Sequence, residues 1–340
     1  MNSIMKATIH DKRIEFIDVF RAVGIIFMIM GHIGYGGVFD KWIHAFHMPM
    51  FFFVSGFFWR KRNLRELVKL KAKSLLIPYV CFGFAQLVFL SAFSSGYRTL
   101  KPVKLLLTNN TDGMQPVPGA LWFLTSLFIA EIVYSLIRHL IGREWIAHMV
   151  VCLTVLCGTV IPYYFRLPWG ADTAFVGIGF MHAGCLFREK KYLSKLLQLK
   201  PVPACILGGG TTVLIFLNSS VNLRAGQYEV VPLFWINAIA AIIVGWNLAR
   251  YLEDVLDRMR WSRISLWLKS IGKNSIVHLC LNQICILVFR KAFQLIGITG
   301  IIERILLLPA TLGALFVAQQ LICGTRLRIM IGRYWTARST

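Results

Sequence analysis

Ten apolar runs, each close to the length a helix needs to cross a bilayer, decide what this chain can become. A hydrocarbon core about 30 Å thick takes roughly 20 helical residues. The runs occupy residues 16–35, 42–59, 74–93, 120–140, 146–164, 173–187, 202–217, 231–249, 271–289 and 301–323. Backbone placed in hydrocarbon must satisfy its own N–H and C=O groups, which only helices and closed barrels do. No alternating strand pattern long enough for a barrel is present, so the runs predict helices. Composition agrees: 57% of the 340 residues are hydrophobic and 15% are charged, against about 25% charged in a soluble domain. The expectation is an all-α integral membrane protein of about ten transmembrane helices, with residues 1–340 forming a single multi-pass domain. The polar stretch 1–13 and the long run behind it predict no cleaved leader.

Charge tests the count independently. Alternating loops starting from the N-terminus hold 26 lysines and arginines, the opposite loops hold 9, and Arg21 and Lys273 sit in helices. Basic residues collect on the cytoplasmic side of membrane proteins, so both termini are expected in the cytoplasm of a cell with this protein in its inner or plasma membrane. The formal charge of +22 is then a matter of membrane sidedness and anionic headgroups, and nucleic acid is not expected as a partner. Eight cysteines fall in or beside apolar runs without metal-ligand spacing, and no metal is expected. The longest connection, 94–119, contains Asn109-Asn110-Thr111-Asp112-Gly113 and Pro116-Val117-Pro118. It reads as a turn-rich outer loop and a lid candidate.

Ionisable residues inside the runs carry the functional signal, because each is expensive in lipid. In the first run, Asp18 and Arg21 are three residues apart and share a helix face. Arg21 and His32 are eleven apart, three turns and about 16 Å along the same stripe. The second run opens with His44 and His47 and continues through Pro49, Ser55 and Gly56, a pattern for a kink and a close helix contact. Glu131 lies near mid-membrane, as a structural partner for a buried arginine or as a catalytic group. His182 sits among Gly177, Gly179 and Gly184, a packing face, and is read as structural. Asn274, His278 and Asn282 recur every four residues and form one polar stripe. A cavity joining both faces, lined by Arg21, His32, His47, Trp122, Glu131, His278 and Asn282, is expected.

In this order the residues resemble the membrane acyltransferase 3 family, and within it the branch similar to fucose 4-O-acetylases. The likeness is carried by Arg21, ten residues, then His32, with Asp18 before them. It continues through the tract from Phe46-His47-Met48-Pro49 to Ser55-Gly56, a basic loop ending at Pro78-Tyr79, and Leu121-Trp122-Phe123-Leu124. The glycine-rich sixth run and Gly272-Lys273-Asn274-Ser275 complete it. Where the family commonly has a histidine seven residues past that serine, this chain has Asn282. Where members often carry R-x-x-R before Pro-Tyr, it has Lys71-Ala72-Lys73-Ser74.

The resemblance implies a ten-helix domain using cytoplasmic acyl-CoA, typically acetyl-CoA, as cosubstrate and no permanently bound cofactor. The acyl group would go to a hydroxyl, usually of a saccharide, outside the membrane or on a lipid. His32 would be the base and Arg21, with Asp18, its support toward the donor. Arg60, Arg62, Lys71 and Lys73 would meet the donor's phosphates, and His47, Ser55, Trp122, Glu131, His278 and Asn282 would line the acceptor path. A related membrane module, that of vancomycin-type serine racemases, is linked to serine uptake, which leaves a non-enzymatic transport module as the alternative.

Overall fold

The computed structural model describes residues 15–108, 111 and 119–333. The expectations for residues 1–13 and for most of the turn-rich part of 94–119 lie outside the described residues. The helices are α1 (Glu15–Ile33), α2 (Gly37–His44), α3 (His47–Phe57), α4 (Leu64–Lys71), α5 (Ile77–Phe93), α6 (Leu100–Leu107) and α7 (Trp122–Leu140). They continue as α8 (Glu144–Val160), α9 (Ala171–Glu189), α10 (Pro201–Leu217), α11 (Val231–Arg258), α12 (Ser262–Lys273), α13 (Ser275–Leu295) and α14 (Gly300–Gly324). Among the described residues the β-type pairing is one isolated bridge between Asn222 and Gln227. The chain is an all-helical membrane protein.

Eight helices are long and apolar enough to span, or nine when the pair Lys191–Gln198 and Pro201–Leu217, bent by 92°, is taken as one. The sequence reading has ten, and the run 42–59 accounts for most of the difference. It breaks at Ala45-Phe46 into α2 and α3, neither of which spans alone. Pro49 supplies the cause: it has no N–H to donate, and its ring clashes with the carbonyl four residues back, that of Ala45, where the helix stops. Another difference is the connection 94–119, which contributes helix α6 where turns are expected. Leu106 is fully buried, the Tyr79 hydroxyl donates to its carbonyl, and the Trp169 indole donates to the Leu107 carbonyl at 2.7 Å.

Contacts at the two ends of the bundle fix the direction of each pass. At the end where α1 begins, Lys269 of α12 bridges Glu15 of α1 at 2.6 Å and Glu253 of α11 at 2.8 Å. Arg188 of α9 donates there to the carbonyls of Phe57 and Trp59. Arg333 reaches Asn274 Oδ1 at 2.8 Å, so both described ends of the chain lie at this end. At the other end, Arg290 of α13 donates to the Ile33 carbonyl at 2.7 Å and Lys41 to that of Phe216 at 3.3 Å. α2 and α3 together therefore return the chain to the end where α1 starts.

Burial acts against the charged form of Lys269, but hydrogen bonds to Glu15 and Glu253 outweigh it and raise its pKa. Such a raised lysine stabilises the fold fully below its unfolded value of about 10.4 and loses that contribution as pH climbs through the higher folded value. Lys269→Met is expected to melt a few degrees below the parent at pH 8. The gap between the two melting curves should narrow as pH climbs through the lysine's raised folded value, where the parent loses this charge too.

α9 was the shortest of the predicted spans, yet 78% of its most apolar stretch is buried, against 22% for α8. It is the central helix. Its seam with α3 is made by glycine: a Cβ on Gly184 would collide with the Phe53 carbonyl, and one on Gly56 with the backbone of Met181. The backbones touch, as small residues permit between membrane helices. Gly184→Leu should cost about 3 kcal/mol or more through overpacking, read as a lost monodisperse peak and a lowered melting temperature.

Candidate functional site

Helix α1 carries the two halves of the site on one stripe. Near its start Arg21 pairs with Asp18 at 3.6 Å, and its guanidinium lies 5.6 Å from the centroid of the Phe58 ring just past α3, within cation–π range. Near its end His32 is half-buried, with Nδ1 3.3 Å from the side-chain amide nitrogen of Gln283 on α13. Both polar groups meet protein. Burial fixes this: Ile17, Val19, Ala22, Ile25, Met28 and Ile29, which fill the turns around them, are at most 1% exposed.

Two more imidazoles approach His32. His44 lies beside Gly31, where an added Cβ would stand 3.5 Å from its ring, and the His44 and His47 ring centroids are 5.2 Å apart. His44 Nδ1 faces the Asp40 carbonyl at 2.6 Å and His47 Nδ1 the Ile43 carbonyl at 2.9 Å. A carbonyl only accepts, so in both rings Nδ1 carries the proton and Nε2 keeps a lone pair when neutral. The Pro49 break explains why these side chains are here: His44 ends α2 and His47 opens α3, one on each side of the break.

The polar stripe of α13 lies in the same interior. His278 and Asn282 are fully buried. His278 Nε2, Asn282 Oδ1 and Gln283 Oε1 are buried without a hydrogen-bond partner. Orphaned polar atoms in adjacent turns are costly unless something polar visits them. Gln283 packs against Gly119, where a Cβ would overlap its amide, so the 3-10 turn before α7 helps to hold it. Trp122, the first residue of α7, is buried close behind.

Glu131 belongs to a different assembly. Its Oε1 accepts from Lys71 Nζ at 2.6 Å and from the Ser55 hydroxyl, and the residue is 2% exposed. A π-type turn over Ala72–Leu76 follows Lys71 and turns it inward, so it stands apart from Arg60 and Arg62, which are exposed. Lys71, expected beside Arg60 and Arg62 at the donor's phosphates, is thus paired with Glu131. Lys73, whose carbonyl abuts Gly332, stays at the end where α1 begins. Glu131 is thus closed in by Lys71 and Ser55, while His32 meets Gln283.

His182 joins a third cluster: its Nδ1 is 3.1 Å from the Tyr134 hydroxyl and its Nε2 is 2.8 Å from His148 Nδ1. This chain of rings ties α7, α8 and α9 together, in line with a structural role.

Open space is found beyond the end of α1. A cavity of about 460 Å³ is lined by Ile33, Gly34, Gly36, Asp40, Arg290, Gln294, Gly300, Glu303 and Arg304. A groove of about 640 Å³, lined by Tyr35, Phe39, Trp42 and Phe216 among others, shares Gly36 with it. The cavity residues and Gln283 are not singled out by the sequence. Asp40 stands just before an apolar run and Glu303 just inside the start of another, while Gln283 is uncharged and off the four-residue stripe. The nearest signal was the adjacency of Gln283 to Asn282. Among the described residues no cluster of three or more His, Cys, Asp or Glu side chains could hold a metal.

Compared with known proteins, residues 14–319 match the family model described as an acyltransferase domain, of the acyltransferase 3 family. No curated protein and no solved structure matches the chain.

Proposed function

Since the chain belongs to the acyltransferase 3 family and is a membrane acyltransferase, we propose that it carries an acetyl group from cytoplasmic acetyl-CoA to a saccharide hydroxyl on the other side. The observation that supports this most is α1 itself. One helix presents a guanidinium near one end of the bundle and an imidazole near the other, both toward protein. The surplus of basic loop residues supports putting the Arg21 end in the cytoplasm, with the protein in the inner or plasma membrane.

In this reading Arg21, with Asp18 holding it, receives the donor, and Arg60, Arg62 and Lys73 meet its phosphates at the mouth. His32 takes the proton of the acceptor hydroxyl as the oxygen attacks the thioester carbonyl. The C–O bond forms, the C–S bond breaks, and the proton passes from His32 to the departing thiolate. Arg21→Ala should therefore raise the KM for acetyl-CoA at least ten-fold in a label-transfer assay with purified protein. An unchanged donor KM removes Arg21 from the donor site. Serine uptake into proteoliposomes that needs no acyl-CoA, with no label transferred, would replace the transferase by a transport module.

Gln283 is a positioning residue in this scheme. With its amide nitrogen donating to His32 Nδ1, the ring proton stays on Nε2. The equivalent amide orientation turned by 180° lets Oε1 accept from Nδ1–H and frees Nε2 as the base. Gln283→Glu fixes the second orientation and should keep turnover while moving the acid limb of the pH–rate profile upward, because a carboxylate stabilises imidazolium. Gln283→Leu should lower kcat roughly ten- to a hundred-fold, by analogy with lost orienting partners of histidine, with the donor KM unchanged.

A further inference from the structure

We propose that Arg224, in the connection between α10 and α11, is a further catalytic residue whose guanidinium stabilises the oxyanion formed as the acceptor oxygen attacks the thioester. This rests on the transferase reading and adds to it the electrophilic half of the site.

The connection folds back on itself, and the bundle holds it by its backbone. Asn222 and Gln227 exchange both backbone hydrogen bonds, at 2.8 and 3.0 Å, and Arg224 sits in the turn they close. Leu223 and Tyr228 are buried and draw the turn inward. Two consecutive carbonyls are gripped from the start of α9 and its approach. Thr173 Oγ1 donates to that of Leu223 at 3.1 Å, and Arg166 Nη2 to that of Arg224 at 2.8 Å. Arg166 is itself fixed, because its Nε donates to the fully buried Asp172 at 2.7 Å. These anchors use main-chain oxygens that any residue would offer, so they do not account for an arginine here.

The turn lies at the level of the imidazoles. Lys41 of α2 reaches the Phe216 carbonyl just before the connection begins, and α2 ends in His44. One turn past Thr173, Gly177 packs against the Phe52 ring, little more than a turn from His47 along α3. Arg224 Nε is buried, so the side chain turns inward, and its charge acts on the His32 ring. His44 and His47 act on that ring as well, Gln283 meets it as a neutral amide, and Asp40 stands by Gly34. Arg290, at the Ile33 carbonyl, is paired with Glu303. Arg224 therefore brings a permanent positive charge to the ring, since a guanidinium keeps its proton.

The chemistry needs such a charge. As the hydroxyl oxygen bonds to the carbonyl carbon, His32 takes its proton and the carbonyl π pair moves onto oxygen. An N–H donor aimed at that oxygen is worth more in the tetrahedral state than in the thioester. The pair then returns, the C–S bond breaks, and the thiolate leaves with the proton from His32.

The test uses the full-length protein in lipid nanodiscs, with radiolabelled acetyl-CoA as donor and glycerol and methyl hexosides as probe hydroxyls. Arg224→Gln should lower kcat about a hundred-fold or more at an unchanged acetyl-CoA KM, as the loss of one oxyanion donor does. Arg224→Lys, which keeps the charge and loses the fork, should fall between the two, and it carries the test if Arg224→Gln gives no monodisperse peak. A second measurement needs no turnover. Trifluoroacetonyl-CoA, a ketone whose hydrate is tetrahedral, should bind Arg224→Gln about ten-fold more weakly than the parent by melting-temperature titration, while acetyl-CoA binds both equally. Parent-like kcat and parent-like binding of the ketone in Arg224→Gln overturn the role of Arg224 and leave the transferase standing. Equal weakening of both CoA compounds overturns it too, by making Arg224 a donor contact. A parent that binds both compounds and acetylates no probe overturns the transferase reading, and this role with it.

Discussion

His32→Ala is expected to abolish acetyl transfer while leaving the protein folded and able to bind its donor. Positioned general bases contribute about 10²–10⁴-fold to a rate, and an alcohol near neutral pH is a poor nucleophile for a thioester without one. The imidazole makes one side-chain hydrogen bond, to Gln283 at 3.3 Å, so its removal should disturb little else. The readout is a kcat at least a hundred-fold lower, together with an undiminished rise in melting temperature on adding acetyl-CoA, since a ligand that binds only the native state stabilises it. Full turnover in the variant would end the role given to this residue. Loss of the donor-induced shift would mean instead that His32 belongs to the donor site.

Lys71→Met should be strongly destabilising. It strands Glu131, 2% exposed, with the Ser55 hydroxyl as its remaining partner. Breaking a buried pair by removing one member costs about 3–5 kcal/mol, whereas replacing both members by apolar groups is often neutral. Lys71→Met should therefore lower the melting temperature sharply, and adding Glu131→Leu should return it to near the parent value. The same pair of variants decides whether Lys71 touches the donor. If its work is structural, as the 2.6 Å contact with Glu131 argues, the double variant keeps the parent's KM for acetyl-CoA. A ten-fold rise would place Lys71 back among the phosphate-binding cations.

What the sequence discloses follows the range of the interaction involved. The helices are legible because apolar length is a local property. The Asp18–Arg21 pair and the Arg21–His32 stripe are legible because helical periodicity is local too, and the structure keeps the pair at 3.6 Å. Pro49 announced a kink, and its reach to Ala45 explains why the kink became a break. Lys71 and Glu131 lie sixty residues apart, and no periodicity links them, so the sequence sends Lys71 to the donor's phosphates and offers Glu131 a buried arginine instead. Gln283 and His32 are 251 residues apart, and a neutral amide beside a polar stripe carries little signal. Asp40, Arg290, Glu303 and Arg304 drew least notice because charges at the rims of apolar runs look like topology markers. Only folding shows that four of them surround one space.

The interrupted second pass also has a temporal consequence. An 11-residue helix such as α3 covers only about 16 Å, so it cannot settle in a bilayer by its own greasiness. Its seat is the glycine face of α9, which begins at Ala171, more than a hundred residues later. At ribosomal speeds of about 5–20 residues per second, the histidine-bearing half-helix waits on the order of ten seconds for the surface that will hold it. Assembly of the candidate site is thus a late event in the protein's synthesis, and a chain halted before α9 would own the imidazoles without the means to place them.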